Sequence, residues 1–286
     1  MATGSTEHID VTTADAFIPE TWAKTMLVAR QENLVFAPRF WGELAERELK
    51  IGDVLHIQGL SNLTAQTKNT SSNAVIVYET ITESNTNLTI DTWRYNGIAL
   101  ETVAASIANR DLLAAYAPKQ GYAIAEAFDA VLAGLVDNFS QIVGSLNVGL
   151  TYDDLIRADQ YLNDGNHPQE DRSIVISPAE KGNFLSIDFF INNDYSKVAS
   201  AKFGDRGSLG MWHQVPVFVT TNVEGSNTVG HDNGFFQKEA VAWGMSMKPT
   251  VHREFDIDAL ARKVVVEQGD GSIETRDTAG VFARGL

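Results

Sequence analysis

Ile51-Gly-Asp-Val-Leu-His-Ile-Gln58, the tract Ser61–Asn73 (SNLTAQTKNTSSN), Ala74–Ile81 (AVIVYETI) and Leu88–Trp93 (LTIDTW) decide how the chain is organised. Val54–Gln58 alternates apolar and polar residues, which is the two-residue period of a strand. Ala74–Ile81 and Leu88–Trp93 are rich in β-branched and aromatic residues and also read as strands. The tract between the first two is nearly all Ser, Thr, Asn and Gln. Two ribbons joined by a long polar tip predict a projecting hairpin. A polar loop of this length is unusual inside a compact domain, and such loops tend to carry function.

On the N-terminal side, residues 1–17 are small and polar and read as an extended arm. A helix is expected from Pro19, because proline fits the first helical position. Its apolar face is Trp22, Met26 and Leu27. A second short helix is expected over Gly42–Leu49, with Glu43 and Arg47 at i, i+4.

On the C-terminal side, residues 99–139 read as helix, rich in alanine and interrupted at Pro118. Ile124, Phe128, Val131, Leu135 and Phe139 follow the helical period. Thr151-Tyr-Asp-Asp154 has the pattern of a capping box, with Leu155, Ala158 and Leu162 on one face and Asn163-Asp-Gly165 as the stop. Ser173–Ile176 is a short buried strand. It feeds a helix through Ser177-Pro-Ala-Glu180, which places a cap, a proline and an acid at successive N-terminal positions. Residues 191–210 are polar and glycine-rich. Val215–Thr221 reads as a strand and Glu224–Gly234 as a loop. Glu239–Met247, Thr250–Phe255, Lys263–Gln268 and Ile273–Phe282 read as strands, with a hairpin turn at Gly269-Asp-Gly271. The class is α+β.

Composition narrows the chemistry. The chain has 286 residues, 44% hydrophobic and 21% charged, so it can build an ordinary core. Its 22 basic and 37 acidic residues give a net charge of −15, which disfavours non-specific binding to nucleic acid and to anionic membranes. It has no cysteine, which excludes disulfides, thiolate catalysis and cysteine-ligated metals. Residues 1–17 lack both Lys/Arg and an apolar run, so no secretory signal is expected. The longest apolar run, Ala130–Val136, is far too short to span a bilayer.

No catalytic constellation emerges. None of His8, His56, His167, His213, His231 and His252 pairs with another at metal-binding spacing. His231-Asp232 reads as a loop histidine beside a solvated acid. Gly204-Asp-Arg-Gly207-Ser-Leu-Gly210 is neither a dinucleotide fingerprint nor a P-loop. Asp153 and Asp154 sit where a helix start favours acids. Trp22, Trp41, Trp93, Trp212 and Trp243 are scattered and read as core or interface anchors. No cofactor and no metal are expected.

The order of elements resembles the major capsid proteins of tailed bacteriophages with the HK97-type fold. Three stretches carry the resemblance. Ile18-Pro-Glu-Thr-Trp22 with Glu32-Asn-Leu-Val-Phe36 is similar to the family's N-terminal helix and following segment. Ile51-Gly-Asp-Val-Leu-His-Ile57 resembles the strand that opens its E-loop. Tyr152-Asp-Asp-Leu155, Leu162 and Arg172-Ser-Ile-Val-Ile-Ser-Pro178 resemble the start of its A-domain. Met211-Trp-His-Gln-Val-Pro-Val217 departs from the family, which commonly has a glycine near Gln214.

The resemblance implies an N-arm (1–35), a connecting segment (36–50), an E-loop hairpin (51–92) and a P-domain with a long spine helix (93–145). It further implies an A-domain (146–236), strands returning to the P-domain (237–273) and a final A-domain strand (274–286). The implied function is structural. Pentamers and hexamers tile an icosahedral virion shell around packaged double-stranded DNA, assembled in the host cytoplasm. Implied partners are other copies of the chain, a portal protein, a separate scaffolding protein and a decoration protein. A cleaved N-terminal scaffolding extension is not expected, because the first helix begins near Pro19. Trp22, Asn62, Thr64, Gln66, Lys68, Asn69 and Trp93 are the expected subunit-interface residues. Some family members join an E-loop lysine to a P-domain asparagine. Here Lys68 is present, but no asparagine occurs from Gly234 to Leu286, so a non-covalent shell is expected. The competing readings are an encapsulin-type compartment shell and, from another class, a hydrolase or glycan-processing enzyme.

Overall fold

The computed structural model describes residues 8–9, 34–42, 51–60, 63–68, 76, 78–81, 83–103, 112–187, 208–226 and 228–286. Strand β1 is His8–Ile9. Strands β2 (Val54–Leu60) and β3 (Glu83–Thr89) pair antiparallel as a two-stranded ribbon, from Val54 opposite Thr89 to Leu60 opposite Glu83. The expected hairpin is present, but its return strand is displaced. Residues 76 and 78–81, expected in a strand, pair with nothing regular, and the return strand is the polar ESNTNLT. Of β3 only Leu88 is buried, so the strand carries too little apolar alternation for periodicity to find it. His56 Nδ1 and Asn87 Oδ1 form a cross-strand hydrogen bond of 2.7 Å instead.

Strand β4 (Thr92–Glu101) follows and carries the chain past Ala99, where helix was expected. Pairing overrides local propensity there: Ala99 and Leu100 lie opposite His8 and Ile9 on one side and Lys263 and Arg262 on the other. Helix α1 (Leu112–Ala133) runs through Pro118 without ending. Its buried stripe is Ile124, Phe128 and Leu132, continuing into Val136 and Phe139, whereas Val131 faces outward. Strand β5 is Ile142–Gly144. Helix α2 (Tyr152–Asp164) has the expected capping box: the Asp154 N–H donates to Thr151 Oγ1, and the Thr151 N–H donates to Asp154 Oδ2. Gly165 ends it.

Strand β6 (Arg172–Ile176) is buried along its whole length and leads through the Ser177 cap into helix α3 (Pro178–Phe184). Strands β7 (Ser208–Trp212) and β8 (Val215–Val219) are joined by His213 and Gln214 at φ 44° and 72°. This is a two-residue turn with both central residues left-handed, made without glycine, at a cost on the order of 1 kcal/mol each. Strand β9 is Gly225–Ser226, and strand β10 (Gly230–Gln237) is a buried interior strand in place of the expected loop. Asn233, fully buried, explains the misleading polarity: its Oδ1 accepts the Ser177 N–H at 2.7 Å. Asp232 is likewise not a solvated loop acid. Burial pushes its carboxyl up, helped by Asp137 and Glu224 and opposed by Arg284.

Strands β11 (Val241–Asp256) and β12 (Ala261–Glu274) form one long antiparallel pair. The expected break near 248 is only a pair of register shifts, and Gly269-Asp-Gly271 lies inside β12 rather than at a turn. A Cβ on Gly271 would stand 2.2 Å from the Thr89 carbonyl oxygen, so this glycine admits the root of the β2–β3 ribbon onto the sheet. The reversal comes at 257–260, with Leu260 at φ 45°. Strand β13 is Gly280–Gly285.

Two larger sheets result. One has the order β1-β4-β12-β11, and α1 packs across β4 and β12. Gln120 Nε2 fixes it by donating to the Val264 carbonyl at 3.1 Å. The other has the order β5-β13-β10-β6-β8-β7, with β9 attached to β10. This sheet is apolar on both sides. Phe235, Ile174 and Val281 face α2, α3 and Trp212, while Phe236, Val175 and Phe282 face α1 and the segment 34–42. Asp129, fully buried on α1, ties that segment down. Its Oδ1 accepts the N–H groups of Phe36 (2.9 Å) and Ala37 (3.0 Å). Its Oδ2 accepts the Val35 N–H (3.3 Å) and Asn222 Nδ2 (3.0 Å).

Candidate subunit interface

No helix is long and apolar enough to cross a membrane, and no metal-binding cluster occurs among the described residues. Two groups of exposed apolar side chains stand out among the described residues, one on the arm beyond β2–β3 and one at the far end of β11–β12. The arm presents Leu63, Ile76, Tyr78 (87% exposed) and Ile81. The far end presents Val251, Phe255, Ile257 and Leu260, with Val103 beside them. Thr102 binds the Leu260 carbonyl through both its N–H (3.0 Å) and its hydroxyl (2.7 Å), which brings Val103 to that corner. Asp256 shapes the reversal: it accepts the N–H groups of Asp258 and Ala259 and pairs with Lys263 at 2.5 Å, which holds its carboxyl below the usual range.

A carboxylate clasp organises the arm. Glu79 Oε2 accepts the Thr64 N–H at 2.9 Å and Oε1 accepts the Thr64 hydroxyl at 2.8 Å. Both bonds favour the ionised form and hold the Glu79 carboxyl below its ordinary value. A depressed carboxylate contributes above its unfolded value and stops contributing as pH falls through the folded one. The clasp therefore opens at a lower pH than that at which an unperturbed glutamate takes up its proton. NMR of the Thr64 amide should show its shift moving with a midpoint lower than that of an unperturbed glutamate; a midpoint at the ordinary value contradicts the clasp.

Of the sequence-predicted interface residues, Thr64, Gln66 and Lys68 are exposed on this arm. Trp93 lies apart from them, exposed on the β4 sheet face, with its Nε1 donating to Glu267 Oε2 at 3.0 Å. Trp22, Asn62 and Asn69 lie outside the described residues, as do the helices expected from Pro19 and over 43–49. Sequence reasoning missed the β11–β12 corner, although Phe255-Asp-Ile257 beside a turn is a readable signal. Among the other tryptophans, Trp212 is core, and Trp243 packs edge-on to Phe128 with its Nε1 on the Ala37 carbonyl.

No protein-family model and no curated protein matches the chain. Solved structures do. A chain from Mycobacterium phage Che8 aligns with TM-score 0.76 at 18% identity, covering 93% of this chain and 97% of that one. The capsid structure of cyanophage P-SCSP1u aligns with TM-score 0.73 at 17% identity over 95% and 94% of the two chains. The capsid of Ralstonia phage GP4 aligns with TM-score 0.71 at 13% identity over 94% and 95%. Because the likeness runs across nearly the whole length of both chains, this chain has the fold of bacteriophage capsid structures.

Proposed function

We propose that the chain is the major capsid protein of a tailed bacteriophage, of the HK97 type, and that its role is structural rather than enzymatic. The carrying observation is the two-way coverage: the likeness to capsid structures spans 94–95% of this chain and 94–95% of those. On this reading the β2–β3 ribbon is the E-loop. The sheet β1-β4-β12-β11 with α1 as spine helix is the P-domain, and the seven-stranded sheet with α2 and α3 is the A-domain. Copies form pentamers and hexamers of a virion shell holding double-stranded DNA, with portal, scaffolding and decoration proteins as partners.

The exposed apolar groups supply a driving force for such assembly. Leu63, Ile76, Tyr78 and Ile81 on one copy match Val251, Phe255, Ile257 and Leu260 on the next. Full burial is worth about 1.5–3 kcal/mol for each large side chain. Arg253 and Arg262, on the exposed corner, complement Glu79 and Glu83 on the arm. Negative-stain microscopy of the purified protein should show closed shells; particles no larger than a few subunits contradict the reading.

Covalent welding is not part of it. Lys68 is exposed on the arm, but β11, β12 and β13 contain no asparagine. Boiled in detergent, purified shells should run as one band near 31.3 kDa. A ladder of multimers would show that Lys68 has found another electrophile.

A further inference from the structure

The sheet β1-β4-β12-β11 has two faces. One is covered by α1. On the other, the ribbon root covers only the end at Gly269 and Gly271, where Ile51, Thr89 and Ile90 approach. Beyond the root, Trp93 and Tyr95 on this second face are exposed. Register places Trp93, Tyr95 and Glu101 of β4 on it, with Glu267 and Lys263 of β12 and His252 and Glu254 of β11. Trp93 is 62% exposed and Tyr95 75% exposed.

The Trp93 ring is fixed relative to a carboxylate. Glu267 Oε2 accepts the Trp93 indole N–H at 3.0 Å, and Oε1 meets His252 Nε2 at 2.7 Å. Tyr95 stands directly opposite Glu267 in the ladder. Lys263 on this face is tied to Asp256. Among the residues that register places here, Glu101, Glu254 and Glu267 add three carboxylates. Two exposed aromatic faces beside fixed carboxylates attract cations, and a guanidinium most of all, because it stacks on a ring while donating to a carboxylate. Each oxygen of Glu267 keeps a second acceptor site for such a donor. Trp93 and Tyr95 are i, i+2 on one strand, about 6.8 Å apart along it. That is also the spacing of alternate side chains on an extended peptide.

We propose that this face is a docking site for an extended arginine-bearing segment of a partner protein, read as Arg-x-Arg, with one guanidinium on Trp93 and the next on Tyr95 beside Glu267. Charge selects the occupant. The face's carboxylates Glu101, Glu254 and Glu267 repel a nucleic acid and draw a basic segment. This site is independent of the ribbon contacts proposed for assembly, which use the arm and the β11–β12 corner.

The test is fluorescence anisotropy of the full-length protein with a fluorescein-labelled peptide of alternating arginine and glycine. A glutamine-for-arginine peptide serves as blank. The arginine peptide should bind and weaken with salt, the lysine version should bind several-fold more weakly, and the glutamine version should not bind. Trp93→Ala with Tyr95→Ala should weaken binding at least tenfold and Glu267→Gln about fivefold. Tyr95→Phe, which keeps the ring, should stay within about twofold, as should Glu170→Gln, an exposed acid elsewhere. Circular dichroism checks that each variant folds. Equal binding by the wild type and the aromatic double variant overturns the proposal. So does an equal loss in Glu170→Gln, which would mean diffuse attraction. So does a change in sedimentation with peptide binding intact, which would give the face to a second copy.

Discussion

Replacing residues 61–82 with an Asn-Gly turn should leave a folded subunit that builds no stable shells. The replacement joins Leu60 to Glu83, the last pair of the β2–β3 ladder, through the two-residue turn such a ladder accepts. Both larger sheets and both core clusters lie outside the deleted stretch. What disappears is the arm with Leu63, Ile76, Tyr78, Ile81 and the Glu79–Thr64 clasp. Losing four apolar contacts removes several kcal/mol from each subunit contact, and every 1.4 kcal/mol is tenfold in affinity. The check is circular dichroism for folding and electron microscopy for shells. Normal shells from the folded deletion variant would remove the arm from any role in assembly.

The second large effect is on stability. Asp129→Ala deletes the acceptor for three backbone N–H groups and the Asn222 amide, all at or near the core. Each buried donor left unpaired costs about 1–3 kcal/mol, and relaxation of the 34–42 segment recovers part of it. A net loss of about 3–5 kcal/mol is expected. With a urea slope of about 3 kcal/mol/M, the midpoint of the dispersed subunit should fall by about 1–2 M. Asp129→Asn, which keeps one acceptor oxygen, should lose less. A midpoint unchanged in Asp129→Ala would mean the segment is held by Phe36 and Phe40 packing alone.

Where local chemistry governs, the sequence could be read directly. Thr151 and Asp154 form their box, Ser177 and Pro178 start α3, and Gly165 stops α2, because caps depend only on neighbours a turn away. Where partners distant in sequence govern, it misled. Gly269 and Gly271 look like a turn but are flat sheet positions cleared for the ribbon root. His231-Asp232-Asn233 looks like a loop but is an interior strand whose polar groups are satisfied from elsewhere. Ala99–Glu101 looks helical but is claimed by β1 and β12. The arm was readable as an arm from its polarity. The face carrying Trp93, Tyr95, Glu267 and His252 was not, since it joins residues more than 150 positions apart by register alone.

That long-range register has a consequence for synthesis. Strand β4 finds its main partner in 261–270, and β5 finds its partner in 282–284. β13 also lies between β5 and β10, so the seven-stranded sheet cannot close before residues 280–285 exist. On the ribosome, β4 and β5 emerge long before anything can pair with them, and topologies of this kind fold slowly and expose edges on the way. A chain without β13 therefore leaves β5 and one edge of β10 unpaired. On the proposed capsid reading, copies truncated before β13 would be cleared as unfolded chains and would not enter a shell as defective tiles.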